Sequence, residues 1–199
     1  MSNPRITLPE MGRKMIHIFN LIIPISYGTW LPDKTSVLIL LGIVTFSAIC
    51  TDLARTRVQW LKSLFVRYFD SMLRSHELSG KFTGATWVLI GAWFTILIFP
   101  KPIAIMALVF MSVGDTTAGI IGMQFGNIKI GSKTLEGSLS GLMICILTGW
   151  LFPIVPITVG IVGSVSAMVV ELLPLTIDDN VSIPITSGTI MILASNFLI

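Results

Sequence analysis

Long apolar windows without charged residues, separated by short polar connections, run along most of the chain. A helix needs about 20 residues to cross the roughly 30 Å hydrocarbon core of a bilayer. Residues 137–170 carry no charge and must form two helices, because Pro153 and Pro156 would interrupt a single one. The pattern predicts an all-α, polytopic membrane protein with about seven transmembrane helices. The predicted spans are 15–32, 35–51, 82–100, 102–126, 137–153, 157–175 and 182–199.

The longest polar connection, residues 52–81, has its own helical pattern. Apolar side chains recur every three or four residues at Leu61, Leu64, Phe65, Tyr68 and Phe69, and basic residues lie among them. This spacing predicts an amphipathic helix. Two positions are consistent with it: at the membrane interface, where anionic headgroups would favour its basic residues, or packed on the helix bundle.

Composition supports a membrane protein and excludes several other classes. Hydrophobic residues make up 53% of the chain and charged residues only 12%, whereas soluble domains carry about 25% charged residues. A soluble enzyme, a disordered tail and a secreted disulfide scaffold are therefore excluded. The net charge of +3 is too small and too scattered for a nucleic-acid binder.

The distribution of basic residues predicts the orientation of the chain in the membrane. With seven spans, eleven of the 13 Lys and Arg residues fall on one side, and only Lys34 and Lys101 fall on the other. Because cytoplasmic loops are enriched in Lys and Arg, the N-terminus is predicted to be cytosolic and the C-terminus to be outside. We expect residues 1–199 to form a single integral-membrane catalytic domain.

Most of the unusual polar residues fall on the predicted cytosolic side, and Asp115 is the deepest of them. It lies about 20 Å along its predicted span, within the inner half of the bilayer. An ionisable group there is costly unless it faces a polar cavity or a cation. The alternative is an acid that pairs with a basic residue to fix helix packing.

A segment rich in glycine follows Asp115 and ends in lysines and a second acid. Backbone N–H groups and ammonium groups bind phosphates, and carboxylates bind divalent cations, so the segment suggests a polyphosphate and metal site. It is not a Walker A loop. The glycines alone are equally explained by close helix packing. The candidate nucleotide-binding residues here are Gly114, Gly119, Gly122, Gly126, Lys129, Lys133, Thr134 and Gly137.

This segment resembles the nucleotide-binding signature of the CTP-dependent lipid kinases. The family includes dolichol (polyprenol) kinase, phytol and farnesol kinases and CTP-dependent diacylglycerol kinase, and phosphatidate cytidylyltransferases are its relatives. The resemblance rests on Gly114-Asp115, Ala118, Gly122, Gly126, Lys129 and Lys133-Thr134-Leu135-Glu136-Gly137; on Arg13-Lys14-Met15-Ile16-His17; on Glu77 with Thr83-Gly84-Ala85-Thr86; and on Glu171 with Asp178-Asp179-Asn180-Val181-Ser182-Ile183-Pro184.

The resemblance implies a minimal catalytic core that transfers the γ-phosphate of CTP, with Mg²⁺, to the hydroxyl of a membrane lipid alcohol. It implies catalytic roles for Asp115, Arg13, Lys14 and Asp179, nucleotide binding by Lys129, Lys133 and Asn180, and metal binding by Asp115 with Glu136 or Asp179. Further candidates have a functional and a structural explanation each. They are His17, Glu77, Glu171 and Asp178. Glu77 can simply pair with Arg74 or Lys81, and Glu171 can orient the lysines.

Other functions are consistent with parts of the pattern. A cytidylyltransferase would use a similarly built site to transfer CMP to phosphatidic acid. A small ion-coupled transporter would use Asp115 and Glu171 as coupling sites, although the odd span count and the gathering of polar residues on one side argue against it. The lipid acceptor and the oligomeric state are not encoded in any local motif.

Overall fold

The computed structural model describes residues 8–31, 33–69 and 80–198, which form helices almost throughout. The all-α prediction is confirmed. One short antiparallel hairpin between α6 and α7 was not predicted. The helices are α1 (Leu8–Phe19), α2 (Ile22–Thr29), α3 (Lys34–Arg57), α4 (Gln59–Phe69), α5 (Gly84–Ile98), α6 (Lys101–Phe125), α7 (Leu135–Leu151), α8 (Ile157–Leu172) and α9 (Asp179–Leu198), and the hairpin strands are β1 (Lys129–Ile130) and β2 (Lys133–Thr134).

Helix α6 is the centre of the fold. It packs against α1, α2, α5, α7, α8 and α9. Its side chains from Ile103 to Leu108 are buried, and so are Phe110 and Met111. A helix surrounded on all sides has no single apolar face, which explains why the sequence of α6 is apolar over most of its length. The site described below lies against the C-terminal half of this helix.

Two helices in the described part of the chain are long and apolar enough to cross a membrane, α3 and α6. Helices α5, α7 and α8 are apolar but shorter. The 15 residues of α5 extend about 22 Å, less than the roughly 30 Å of the hydrocarbon core. Large apolar side chains such as Phe46, Met143 and Trp150 are exposed on the outside of the bundle. The seven-span topology stays a prediction.

The first predicted span, 15–32, is wrong as a single helix. The structure begins a helix earlier, at Leu8, and interrupts it between α1 and α2. Pro24 has no N–H to donate to the carbonyl of Asn20, and the N–H of Ile23 donates to that oxygen instead, at 3.0 Å. The two helices follow α6 in antiparallel order, since Lys14 contacts Asp115 and Tyr27 contacts Lys101.

The second predicted span, 35–51, is too short. Helix α3 continues to Arg57 because its last turns bury two charged residues that form an ion pair, Asp52 and Arg55. The amphipathic pattern within 52–81 forms α4, as predicted. The other five predicted spans correspond to α5 through α9, with their ends shifted by up to three residues.

Candidate active site

A cavity of about 380 Å³ lies between α1, the second half of α6, the hairpin and the end of α8. Many of the residues that the sequence analysis selected meet here, although they come from distant parts of the chain. The lining residues are Glu10, Arg13, Lys14, His17, Asp115, Ala118, Gly119, Gly122, Met123, Gly126, Lys129, Ser132, Lys133, Thr134 and Glu171.

Lys14 and Asp115 form an ion pair at the bottom of this cavity. Lys14 Nζ lies 3.0 Å from Asp115 Oδ2 and also donates to the backbone oxygen of Asp115, at 3.0 Å. The Lys14 side chain is 19% exposed and the Asp115 side chain is 13% exposed. Gly119 makes this approach possible, because a Cβ atom at that position would overlap Cε and Nζ of Lys14. The ion pair therefore depends on the glycine one turn further along α6.

The same face of α1 carries the other polar residues of the cavity. His17 Nδ1 lies 3.4 Å from Asp115 Oδ2, and an Arg13 guanidinium nitrogen lies 3.8 Å from a carboxylate oxygen of Glu10. Residues 10, 13, 14 and 17 are three or four positions apart and so share one side of a helix. The large side chains of Met15 and Phe19, on the rest of the helix, are exposed. Helix α1 thus presents a polar face to the cavity and an apolar face to the outside.

The hairpin places its two lysines beside the cavity. Gly131 is the first of two loop residues between β1 and β2 and has a positive φ of 62°. Type II′ turns usually have glycine at this position. Thr134 then caps α7, since its hydroxyl accepts a hydrogen bond from the N–H of Gly137 at 3.2 Å. The Thr134 side chain fits against Gly122 and Gly126, where added Cβ atoms would clash with it.

Lys133 connects the hairpin with α8 and α9. Its Nζ lies 2.6 Å from Asp179 Oδ2 and 3.2 Å from Glu171 Oε1, and it donates to the backbone oxygen of Glu171 at 2.6 Å. Glu171 is buried, and its other carboxylate oxygen accepts a hydrogen bond from the hydroxyl of Ser138 at 2.6 Å. One ammonium group thus pairs with two carboxylates that come from different helices.

The electrostatics around Lys133 favour cations. Burial lowers the pKa of Lys133, but the attraction of Asp179 and Glu171 is larger, so the pKa lies above its ordinary value. The pKa of Asp179 is also raised, by burial and by repulsion from Asp115 and Glu171, although Lys133 acts in the opposite direction. Asp115 and Glu171 therefore repel Asp179, and an additional positive charge near these carboxylates would relieve this repulsion.

Other predicted residues lie apart from the cavity lining. Gly114 packs against Met168 and Cys145. Asp178 accepts hydrogen bonds from the backbone and side-chain nitrogens of Asn180 and so begins α9. Asn180 is buried, and its backbone oxygen lies where a Cβ atom on Gly91 would be. Gly137 brings α7 close to Ala118 of α6. Glu77 lies outside the described residues.

Glu136, a predicted metal ligand, caps the hairpin instead of facing Asp115. Both of its carboxylate oxygens accept from the backbone N–H of Ile128, at 3.1 and 3.2 Å. A hydrogen bond from its own backbone N–H, together with hydrogen bonds from the backbone of Asn127 and Ile128, holds the pKa of Glu136 below its ordinary value. This carboxylate is committed to the local fold of the hairpin.

The sequence analysis missed a buried polar cluster at the end of α3. The Asp52 side chain is 3% exposed and the Arg55 side chain is 6% exposed, and Arg55 Nε donates to Asp52 Oδ1 at 2.8 Å. Asp52 Oδ2 accepts from Thr83 N and from the hydroxyl of Thr86, both at 2.8 Å. Arg55 also donates to the backbone oxygen of Lys81, at 2.7 Å. The sequence feature that could have revealed this cluster is an acid and a base three residues apart, Asp52 and Arg55, directly after an apolar window.

The carboxylates of the cavity suit a metal ion that arrives with a ligand. Among residues 8–31, 33–69 and 80–198, no group of three His, Cys, Asp or Glu residues could hold a metal by itself. Mg²⁺ is commonly bound by only one or two carboxylates together with substrate phosphates and water. Asp115 and Asp179 could supply such a pair of ligands, so the chemistry of the site fits a magnesium–nucleotide complex.

The chain is similar to known lipid kinases. It is 27% identical over 150 residues to CTP-dependent diacylglycerol kinase 1 of Saccharomyces cerevisiae, covering 74% of this chain and 51% of that protein. It is 22% identical over 207 residues to a probable chloroplastic phytol kinase 2 of Glycine max, covering 94% of this chain and 66% of that protein. These similarities, at modest identity, support a relationship to the CTP-dependent lipid kinases.

A further relative extends the similarity to a protein of the same size. An uncharacterised protein of Rickettsia prowazekii is 29% identical over 189 residues, 89% of this chain and 90% of the relative. The chain spans about half the length of the yeast kinase. No family model and no solved structure matches the chain. The cavity beside Asp115 is the candidate active site of this chain.

Proposed function

We propose that the protein is a kinase that transfers the γ-phosphate of CTP to the hydroxyl of a membrane lipid alcohol. The acceptor would be a polyprenol such as dolichol, a phytol-type isoprenoid or diacylglycerol. The observation that carries the proposal is the cavity itself, which is lined by Asp115 and by four basic residues, Arg13, Lys14, Lys129 and Lys133. The names of the relatives supply the donor and the class of acceptor.

The triphosphate of CTP would occupy the space between α1 and the hairpin. Lys14 and Lys133 now pair with carboxylates, and phosphate oxygens would compete with those carboxylates for the ammonium groups. The N-terminus of α7, beside Thr134, adds the partial positive charge that helix N-termini offer to anions. Phosphoryl transfer depends mainly on positioning and on neutralising charge on the transferred group, which are the two functions these residues would serve.

Asp115 and Asp179 would hold Mg²⁺ with the nucleotide, and the ion would neutralise charge on the phosphates. Arg13 and Lys14 would stabilise the charge on the transferred phosphoryl group. Asp178 or Asp179 would accept the proton of the lipid hydroxyl. Asp178 already accepts two hydrogen bonds at the start of α9. If Asp179 accepts the proton instead, Asp115 holds the metal without it.

The membrane arrangement in this proposal is multi-pass, with the N-terminus and the active site on the cytosolic side. Asp115 is the fifteenth residue of α6, about 21 Å from the other end of that helix. Such a position lies within the inner half of a hydrocarbon core about 30 Å thick, about 9 Å from its cytosolic edge. A lipid hydroxyl at the membrane surface and a soluble nucleotide can meet at this depth.

A donor and acceptor panel tests this function. Purified protein in detergent with Mg²⁺ is given CTP, ATP, GTP or UTP, each with dolichol, phytol, farnesol, diacylglycerol or phosphatidic acid. We expect a phosphorylated lipid alcohol with CTP and far less with the other nucleotides. CDP-diacylglycerol formation from phosphatidic acid would identify a cytidylyltransferase instead. Folded protein that gives no lipid product with any pair would contradict the proposal and favour a transporter.

A further inference from the structure

Helix α4 has an apolar face that is only half covered by the protein. Leu61 and Phe65 are partly buried, and the Phe65 ring lies 5.4 Å from the guanidinium of Arg55 at the end of α3. Trp60, Leu64 and Tyr68 continue the same face, but they are 69%, 45% and 67% exposed. Three large apolar side chains spaced four residues apart thus form an exposed stripe along α4.

Basic side chains border this stripe. At 100° per residue, Arg67 lies next to Trp60 on one edge of the apolar face, and Lys62 lies beyond Phe65 on the other. Arg57 precedes the helix. No acidic residue occurs between Leu53 and Phe69; the acids next to this range are Asp52, which pairs with Arg55, and Asp70. A helix with an apolar face and basic edges is typical of helices that lie in the headgroup region.

Helix α4 begins at the end of the bundle where the cavity lies. Asp52, one and a half turns before the end of α3, binds the first residues of α5 through Thr83. Helix α5 in turn contacts the start of α9, where Gly91 meets Asn180. The neighbouring Asp179 binds Lys133 in the cavity. Because α5 and α6 are joined by two residues and pack against each other, the start of α5, and with it the end of α3, lies at the same end of the bundle as the C-terminal half of α6, which lines the cavity.

We infer that α4 is an in-plane anchor for an anionic lipid surface: Trp60, Leu64 and Tyr68 insert among the acyl chains while Lys62 and Arg67 bind lipid phosphates. Long basic side chains can extend from the edge of an apolar face to the headgroups. Attraction of basic residues to anionic lipids then holds the helix at the interface. The inference depends on the membrane location in the proposed function, but not on CTP or on the reaction.

Probes on adjacent residues test the inserted face. Cys50 is exposed and Cys145 is buried, so a C50S background leaves position 64 or 63 as the labelled site in L64C or S63C. An NBD fluorophore is attached, and the protein is reconstituted in vesicles with equal parts phosphatidylcholine and phosphatidylglycerol. We expect brominated acyl chains to quench the probe at 64 and aqueous iodide to quench the probe at 63. Equal quenching at both positions would overturn the inference, even in a protein with full activity.

A second measurement tests the charge preference. Bromine is carried either on the phosphatidylglycerol chains only or on the phosphatidylcholine chains only. With the probe at 64, we expect quenching about twofold stronger from phosphatidylglycerol. The K62Q/R67Q variant should lose this preference, and the charge-conserving K62R/R67K variant should keep it. If the protein with Lys62 and Arg67 intact shows no preference for phosphatidylglycerol, or if the K62Q/R67Q variant keeps the preference, anionic lipids are not the partner.

Discussion

Gly119 controls how closely Lys14 approaches α6. A methyl group at this position would occupy the space of Lys14 Cε and Nζ, so G119A should push the ammonium group away from Asp115. Misplacing a catalytic group by about 1 Å can lower a rate about 100-fold. We expect G119A to reduce phosphoryl transfer by about 10- to 100-fold, measured as initial rates in detergent.

The control for this variant is G160A. A Cβ atom at Gly160 would lie 3.7 Å from Val155 Cγ2, an ordinary contact. Both substitutions put alanine in place of a helical glycine, so G160A should retain the rate and the melting temperature. Normal activity in G119A would contradict the account of Lys14, provided that the protein is fully folded.

Lys133 has a structural role that must be separated from its proposed role in nucleotide binding. K133A leaves Glu171 and Asp179 without their shared cation, and we expect a loss of about 2 kcal/mol in unfolding free energy. Adding E171Q removes one of the two uncompensated charges and should restore most of this stability. Denaturant unfolding in detergent measures both effects.

The same pair of variants tests the nucleotide role. If Lys133 binds CTP phosphates, K133A/E171Q should be stable and should still need a higher CTP concentration than E171Q alone. An unchanged dependence of the rate on CTP in the double variant would remove Lys133 from the nucleotide site.

At the scale of single residues, the sequence predicted which residue types form the candidate site better than it predicted which groups each of them contacts. The glycines and lysines after Asp115 could be selected because phosphate chemistry needs such groups, and several of them line one cavity. The hydrogen-bond partner of Glu136 could not be predicted from spacing alone. Its carboxylate binds the N–H of Ile128, and that contact exists only because the chain folds back through a hairpin that the apolar pattern did not reveal.

At the scale of elements, the buried Asp52 cluster connects α3 to the start of α5. Replacing one partner of a buried ion pair leaves the other uncompensated and costs about 3 kcal/mol or more. We expect D52N to lower the free energy of unfolding by about that amount, because Arg55 loses its charged partner and the hydrogen bonds of Thr83 and Thr86 are disturbed.

D33N is the matched control for D52N. Asp33 caps α3 by accepting from Ser36 N, and asparagine is an equally good N-cap residue, so little change is expected. A D52N protein as stable as the wild type in denaturant unfolding would show that the cluster does not hold α3 and α5 together.

Apolar windows predicted where most helices lie but not how they begin, bend or end. The windows stopped at charged residues, so α3 was predicted to end before Asp52, although pairing with Arg55 allows the acid to be buried inside the helix. The break after α1 follows from Pro24, yet one proline within an apolar window does not reveal whether a helix bends or stops. The burial of Asp52 also depends on Thr83 and Thr86, which are distant in the sequence.

At the scale of the whole molecule, the distribution of basic residues predicts the orientation of the chain. In the C50S background, single cysteines replace Asn127, predicted to be cytosolic, and Thr35, the first residue of the span 35–51 at its predicted outer end; both residues are exposed. An impermeant maleimide should label T35C in right-side-out vesicles and N127C in inverted vesicles. Labelling of both from the same side would contradict the seven-span arrangement.

The proposed reaction is tested most directly by following the two ends of the CTP triphosphate. CTP labelled at the α- or the γ-phosphate is incubated with the purified protein, Mg²⁺ and the best lipid alcohol. We expect γ-label in the extracted lipid and α-label only in CDP, with neither transferred by D115N in its folded form. Transfer of α-label to lipid, or full activity in D115N, would contradict the account of a kinase that works through Asp115.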